Sequence, residues 1–288
     1  MPNSFKSWIV ETSWLADHLD APDLVVLDAS SHLPTTKRNA KAEFAVEHIP
    51  GAMFFDIDDI SDETSNLPHM LPSTVKFASR MKKMGIGDGM RVIVYDSSGL
   101  GQSPRAWWMF RIMGYTDVAV LNGGLKKWKA EGREIESGPP LRRSERHFTP
   151  RFDAGLVRDV EDMKAHVAKK DIQILDARAA SRYSGEEKEF RAGLRSGHIP
   201  GSYNLPYVKL ITPDGTLRPE PELRAAFEQA GIDLQAPIVT TCGSGVTAAV
   251  LALALSQLGR VDVPVYDGSW SEWGREDNGL PVATGPSP

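Results

Sequence analysis

The 288-residue sequence contains a single cysteine, Cys242. A lone thiol excludes a disulfide framework within the chain and a zinc site built from several cysteines. It fits a reducing compartment, and the cytoplasm is the expected location. No apolar run approaches the roughly 20 residues that a membrane-spanning helix needs. A surplus of positive charge is missing too. Lys and Arg number 33 against 38 Asp and Glu, for a net charge of −5. A nucleic-acid surface, which needs a basic face, is therefore not expected, and any anionic ligand must be held by a few local arginines. The histidines are scattered, with no close His/Cys/Asp cluster, so no metal is expected. The N-terminal stretch MPNSFKSWIVET has neither a signal-peptide core nor the Arg-rich, acid-poor character of a transit peptide.

What the sequence does have is an internal repeat, the first feature to look for in a chain long enough for two cores. Leu24-Val-Val-Leu-Asp28-Ala recurs as Ile172-Gln-Ile-Leu-Asp176-Ala. Glu47-His48-Ile-Pro-Gly51 recurs as Gly197-His198-Ile-Pro-Gly201, and Arg91-Val-Ile-Val-Tyr95 as Pro237-Ile-Val-Thr-Thr241. Val120-Leu-Asn-Gly-Gly-Leu-Lys-Lys-Trp128 recurs as Val265-Tyr-Asp-Gly-Ser-Trp-Ser-Glu-Trp273. Order and spacing are kept, so the chain reads as a duplication. The expected domains are residues 1–137 and 154–288. Residues 138–153, rich in Gly, Pro and charge, read as a linker.

Each half reads as α/β. Leu24–Leu27, Val92–Tyr95 and Val118–Leu121 are short, β-branched apolar runs suited to buried parallel strands. Ile172–Leu175, Ile238–Thr241 and Val263–Tyr266 are their counterparts. Helices are expected over Pro104–Met113, Leu125–Glu131, Asp159–Ala168, Glu220–Ala230 and Thr247–Leu258. Alternating strands and helices predict a mainly parallel sheet flanked by helices in each domain. The tryptophans, including Trp107, Trp108 and Trp128, are expected to pack the cores and the domain interface. The tail Thr284–Pro288 is expected to fray.

A solitary cysteine is most simply a small buried hydrophobe, but the residues around Cys242 point elsewhere. Strand Ile238–Thr241 runs into Cys242-Gly-Ser-Gly-Val-Thr-Ala248, and the apolar stretch Ala249–Leu255 follows. The thiol thus sits at a strand C-terminus, where open α/β sheets place ligands. Gly243 and Gly245 let the backbone curl back over the sulfur. Successive N–H groups can then converge on it as an anion-binding nest that favours the nucleophilic thiolate. The same donors suit the terminal sulfur of a persulfide. A cysteine phosphatase also uses a six-residue loop around a thiolate, but closes it with an arginine fork for phosphate. Here Ala248 holds that position, which argues against phosphate.

The loop CGSGVTA, the paired HIPG turns and the duplicated halves resemble the 3-mercaptopyruvate sulfurtransferase branch of the tandem rhodaneses, from about Trp8 to Pro281. The implied fold is two tandem rhodanese-like α/β domains. Thiosulfate-using rhodaneses typically carry CRKGVT, with two cationic residues where this chain has Gly243 and Ser244. The resemblance implies that Arg182 and Arg191 bind the carboxylate and keto oxygen of 3-mercaptopyruvate. For Arg191, next to Glu189, a surface salt bridge is the alternative. Arg178 is expected to pair near Asp176. Gly243, Gly245, Val246 and Thr247 are expected to line the substrate. Asp58, His69 and Ser244 match the family's triad-like proton relay, with Asp56 a nearby rival for Asp58 and the site then lying between domains. His48 and His198 occupy equivalent turns in both halves, which favours a structural role. The first half carries Asp96 where Cys242 falls in the repeat, and a carboxylate cannot form a persulfide.

The resulting expectation is ping-pong sulfur transfer. Cys242 accepts sulfur from 3-mercaptopyruvate, pyruvate leaves, and the persulfide passes its outer sulfur to a thiol or to cyanide. Thioredoxin is the acceptor that the resemblance implies, and no cofactor is required. The alternatives are a thiosulfate sulfurtransferase and a persulfide carrier or sulfide sensor without turnover.

Overall fold

The computed structural model describes residue 5, residues 7–140 and residues 142–287. The outermost ends of the expected domains, part of the N-terminal stretch, one residue of the expected linker (141) and the end of the tail fall outside the described residues.

The chain forms two compact units. The first comprises Met1–Glu63, Leu71–Asp153 and Thr212–Leu217, and the second Thr64–Met70, Ala154–Ile211 and Arg218–Pro288. In the first unit, β1 (Ile9–Val10), β2 (Leu24–Asp28), β3 (Met53–Phe54), β4 (Arg91–Tyr95) and β5 (Val118–Leu121) form one sheet in the order β1-β5-β4-β2-β3. In the second, β6 (Val157–Arg158), β7 (Gln173–Asp176), β8 (Tyr203–Asn204), β9 (Ile238–Thr241) and β10 (Val265–Tyr266) take the order β6-β10-β9-β7-β8. Every pairing is parallel. Advancing each label of the first sheet by five gives the second, so the repeat read in the sequence is a repeat of topology.

Central strands buried on both faces explain the unbroken apolar runs. All of Leu24–Asp28, Val118–Leu121 and Ile238–Thr241 are buried. Trp128 closes the first core against Leu24, Val26, Ile93 and Tyr95. Trp270 and Trp273 do the same for Met163, Ile174 and Val239. The helix Ala248–Gln257 is buried from Ala248 through Ser256, as its all-round apolar sequence requires.

The predicted helices lie within a residue or two of their observed spans. The structure adds helices over Ala40–Val46 and Thr74–Lys83. The latter buries only Phe77 and Met81, an i, i+4 pair among lysines and arginines, and Ser73 caps it by accepting the Lys76 N–H. The edge strands β1, β3, β6 and β8 are two residues each, too short to show alternation. The stretch read as a linker packs on the first unit. Phe148 is buried among Phe77, Phe110 and Tyr115, and Arg151 and Asp153 donate backbone N–H groups to Met113 and Ile112.

Candidate active site

Cys242 follows β9 directly and is 2% exposed. The loop Gly243–Thr247 leads from it into the helix Ala248–Gln257, with Ser244, Gly245 and Val246 buried and Gly243 and Thr247 half-buried. Gly245 adopts φ +74°, a left-handed turn that glycine takes without a Cβ penalty. Gly243 serves a different need, close approach. A Cβ built there would stand 3.4 Å from Arg182 Nη2 and 3.7 Å from Arg191 Nη1. Both predicted substrate arginines therefore come to the residue beside the thiol.

A buried ionic relay sets the position of Arg182. Asp176, the last residue of β7, accepts from Arg178 Nη2 at 2.7 Å. Arg178 Nη1 reaches Glu189 Oε1 at 2.9 Å, and Glu189 Oε2 accepts from Arg182 Nη2 at 2.6 Å. The side chains of Asp176, Arg178 and Glu189 are almost entirely excluded from water. Burial works against the charge on Arg178, but Asp176 and Glu189 overcome it and hold the guanidinium above its ordinary value. Arg178 also stacks 4.5 Å over Trp270. The Arg178–Asp176 pairing expected from the sequence is thus present. Glu189, considered there as a partner for Arg191, makes its ion pairs with Arg178 and Arg182 instead.

Arg191 reaches the same loop, its Nη1 3.7 Å from the Cβ position built at Gly243. Burial and the repulsion of Arg182 push its guanidinium below the ordinary arginine value, while Cys242 and Glu189 pull the other way. The ring of Phe190 lies 5.0 Å from the Arg182 guanidinium and 4.6 Å from that of Arg191. A pocket of about 410 Å³ opens beside Arg191, lined in part by Leu67, Pro68, Ser271 and Arg275. The segment that ends just before His69 therefore lines the same pocket as Arg191. His69 belongs to the same unit as Cys242 and sits at φ +59°. Asp58 belongs to the first unit, exposed in the helix Ile57–Ile60. Its rival Asp56 caps that helix, accepting from the N–H groups of Asp58 and Asp59.

The first unit shows what this loop position does with a carboxyl group. Asp96 follows β4 as Cys242 follows β9, and it is fully buried. Its Oδ1 accepts from the N–H groups of Ser98 and Gly99, both at 2.9 Å, and from Ser98 Oγ at 2.6 Å. Its Oδ2 accepts from the N–H groups of Gln102 and Ser103 and from Ser103 Oγ, between 2.7 and 2.9 Å. Four backbone donors and two hydroxyls converge on one carboxylate, an anion nest filled by the chain itself.

His48 and His198 are structural in their contacts. Each donates Nδ1–H to a backbone carbonyl, of Phe44 at 2.7 Å and Tyr183 at 2.8 Å, and stacks on that same residue's ring. Glu189 escaped functional notice in the sequence. The available signal was Arg178 and Arg182, four residues apart, preceding an acidic residue in a loop. Ser269 and Ser271 escaped as well, although the repeat shows Ser269 where the first half has Gly124.

The family model for the rhodanese-like domain matches residues 11–131 and again 159–276, and the chain belongs to the rhodanese family. It is 43% identical over 277 residues to a 3-mercaptopyruvate sulfurtransferase of Escherichia coli (strain K12), covering 96% of this chain and 98% of that protein. It is also 43% identical to a thiosulfate sulfurtransferase of Cricetulus griseus, over 92% of this chain and 91% of that one. Among solved structures, the crystal structure of the 3-mercaptopyruvate sulfotransferase SseA from Escherichia coli superposes with a TM-score of 0.84. That match covers 92% of this chain and all of SseA, at 42% identity.

Proposed function

We propose that the chain transfers sulfur from 3-mercaptopyruvate to a thiol or to cyanide through a persulfide on Cys242. One observation carries the choice of donor. Two guanidinium groups, Arg182 and Arg191, approach the loop at Gly243 from outside, while Gly243 and Ser244 themselves are neutral. A planar α-keto acid presents a carboxylate and a keto oxygen suited to guanidinium forks, set apart from its sulfur. Relatives named for mercaptopyruvate and for thiosulfate are equally similar, so overall identity does not choose between donors. Charge at the loop does.

In this reading the Cys242 thiolate attacks the thiol sulfur of 3-mercaptopyruvate. The new S–S bond forms as the C–S bond breaks, and its electron pair departs as the enolate of pyruvate. Arg182 and Arg191 stabilise the charge developing on that oxygen. The enolate takes up a proton, pyruvate leaves, and Cys242 holds a persulfide. An acceptor thiolate then attacks the outer sulfur and Cys242 leaves as thiolate; cyanide attacking in the same way departs as thiocyanate. Asp58, His69 and Ser244 are the proposed proton relay, and Gly243, Gly245, Val246 and Thr247 the proposed lining of the substrate. Thioredoxin is the proposed protein acceptor, and the cytoplasm the proposed compartment. We assign the persulfide site to residues 154–288, with 1–137 unable to form a persulfide but supplying Asp58 and His69, and 138–153, which packs on the first unit, joining the two.

The test is pyruvate release from mercaptopyruvate against thiocyanate formation from thiosulfate, in wild type and Cys242→Ser. Mercaptopyruvate should be preferred by kcat/KM, intact mass should show one added sulfur after donor treatment, and the serine variant should lose both reactions. A wild type that favours thiosulfate would transfer the assignment to that donor. Transfer by the serine variant would remove the persulfide route altogether.

A further inference from the structure

Ser269 is fully buried and sits at φ +50°, a left-handed conformation disfavoured for any residue with a Cβ. The repeat supplies its control. The equivalent residue of the first half is Gly124, at φ +53°. A Cβ at Gly124 would stand 2.3 Å from the carbonyl oxygen of Asp96, so that copy keeps the glycine. The second half keeps the same backbone turn and places a side chain on it.

That side chain is tied to the thiol residue. Ser269 Oγ accepts the N–H of Cys242 at 3.2 Å and the hydroxyl of Thr241 at 3.3 Å, and donates to the Tyr266 carbonyl at 2.8 Å. One donor and two acceptor sites are all a serine hydroxyl has. The next two residues take the carbonyls of the two peptide units that follow. Trp270 N–H donates to the Cys242 carbonyl at 3.0 Å. Ser271 donates to the Gly243 carbonyl from its N–H at 2.9 Å and from its Oγ at 2.6 Å. Peptide units are planar and trans, so carbonyls drawn toward Trp270 and Ser271 turn the N–H groups of Gly243 and Ser244 away from them.

We infer that Ser269 is a positioning residue for sulfur transfer: its hydroxyl fixes the Cys242 amide, and the disfavoured backbone at 269 is retained to place that hydroxyl. The Ser269–Ser271 segment then sets the direction in which the loop presents its N–H groups. The role rests on the sulfur-transfer reading of Cys242.

Two substitutions separate hydroxyl from backbone. Ser269→Gly removes the hydroxyl and relaxes the turn, at a position where the first half already carries glycine. Ser269→Ala removes the hydroxyl and keeps the turn disfavoured. Both should lower kcat by roughly 10-fold or more, the usual effect of losing a buried hydrogen bond at a reacting group. KM for mercaptopyruvate should stay within about twofold, because Arg182 and Arg191 are untouched. Both should also slow alkylation of Cys242 by iodoacetamide, which needs no turnover. The melting temperature of Ser269→Gly should lie above that of Ser269→Ala. Wild-type kcat and alkylation rate in Ser269→Gly would overturn the inference, as would a loss confined to KM or a glycine variant that melts below the alanine one. If wild type moved no sulfur at all, the sulfur-transfer reading would fall, and the alkylation rates would still decide whether Ser269 positions the thiol.

Discussion

Replacing Glu189 with Gln removes one negative charge from a chain of four ionic side chains while nearly preserving shape. In the native chain Glu189 holds Arg178 at 2.9 Å and Arg182 at 2.6 Å, and Asp176 holds Arg178 from its other side. Breaking a buried ion pair costs about 3–5 kcal/mol when it strands a charge. Two features reduce that figure here. Asp176 still neutralises Arg178, and Arg182, whose side chain is 16% exposed, can turn toward water. The amide oxygen also keeps one hydrogen bond. A loss of about 2–3 kcal/mol is expected, which corresponds to roughly 4–12 °C in the melting of the C-terminal unit. Arg182 loses its fixed orientation, so KM for mercaptopyruvate should rise about 10-fold with a smaller change in kcat. Differential scanning calorimetry and steady-state pyruvate release measure the two effects on one sample. A variant with wild-type melting and wild-type KM would refute the claim that the buried relay places Arg182 at Gly243.

Arg191→Ala, by contrast, should lower kcat/KM by about 10- to 100-fold with little change in melting, since its guanidinium is aimed at the thiol loop rather than built into the relay; wild-type kinetics would show it to be ornamental. The double substitution Gly243→Arg with Ser244→Lys should cut mercaptopyruvate turnover and move the donor ratio toward thiosulfate. A Cβ added at 243 stands 3.4 Å from Arg182 Nη2, so the new guanidinium must displace those of Arg182 and Arg191. An unchanged donor ratio in paired kinetics would remove loop charge as the selector. Asp28, the first-half counterpart of Asp176, has Ser30 where the second half has Arg178, and burial pushes its carboxyl up to about 6 from 3.8 despite the Ser30 hydrogen bonds. A carboxyl raised on folding stabilises the protein below about pH 4 and loses that contribution as pH climbs through about 6. Asp28→Asn should therefore stabilise the first unit at pH 7.5 by up to roughly 3 kcal/mol, with the gain vanishing below about pH 4; thermal melts showing the same difference at both pH values would contradict it.

Much of this architecture was legible in the sequence because parallel strands buried on both faces leave plain apolar runs. Leu24–Asp28 and Ile238–Thr241 are such runs, and the recurrence of each marks the duplication. Cys242 was legible because glycines after a strand have few other uses. What stayed hidden depends on side chains that meet far from their neighbours in sequence. Glu189 reads as one acid in the charged stretch Gly185–Arg191, and only folding brings it to both Arg178 and Arg182. Ser269 reads as a small residue in a turn, and its φ of +50° has no sequence signature of its own. Helix Thr74–Lys83 leaves little trace for a simpler reason, since two buried residues in ten make a faint stripe. The stretch read as a linker shows that Gly, Pro and charge describe a surface path as readily as a tether, because buried Phe148 and the backbone N–H groups of Arg151 and Asp153 fasten it to the first unit.

The carboxylate of Asp96 stitches the end of β4 to the start of the helix Ser103–Ile112, whose first N–H it accepts. The corresponding helix in the other half, Ala248–Gln257, follows a thiol at that position and receives no side-chain cap from Thr247. One copy thus holds a carboxylate fastener at this position, while the other places a thiol there. A terminal persulfide sulfur held by the Cys242 loop as Asp96 is held by its own would fasten that second helix only while the enzyme is charged. Thermal stability of the C-terminal unit then becomes a gauge of sulfur occupancy, rising when donor loads Cys242 and falling when acceptor empties it.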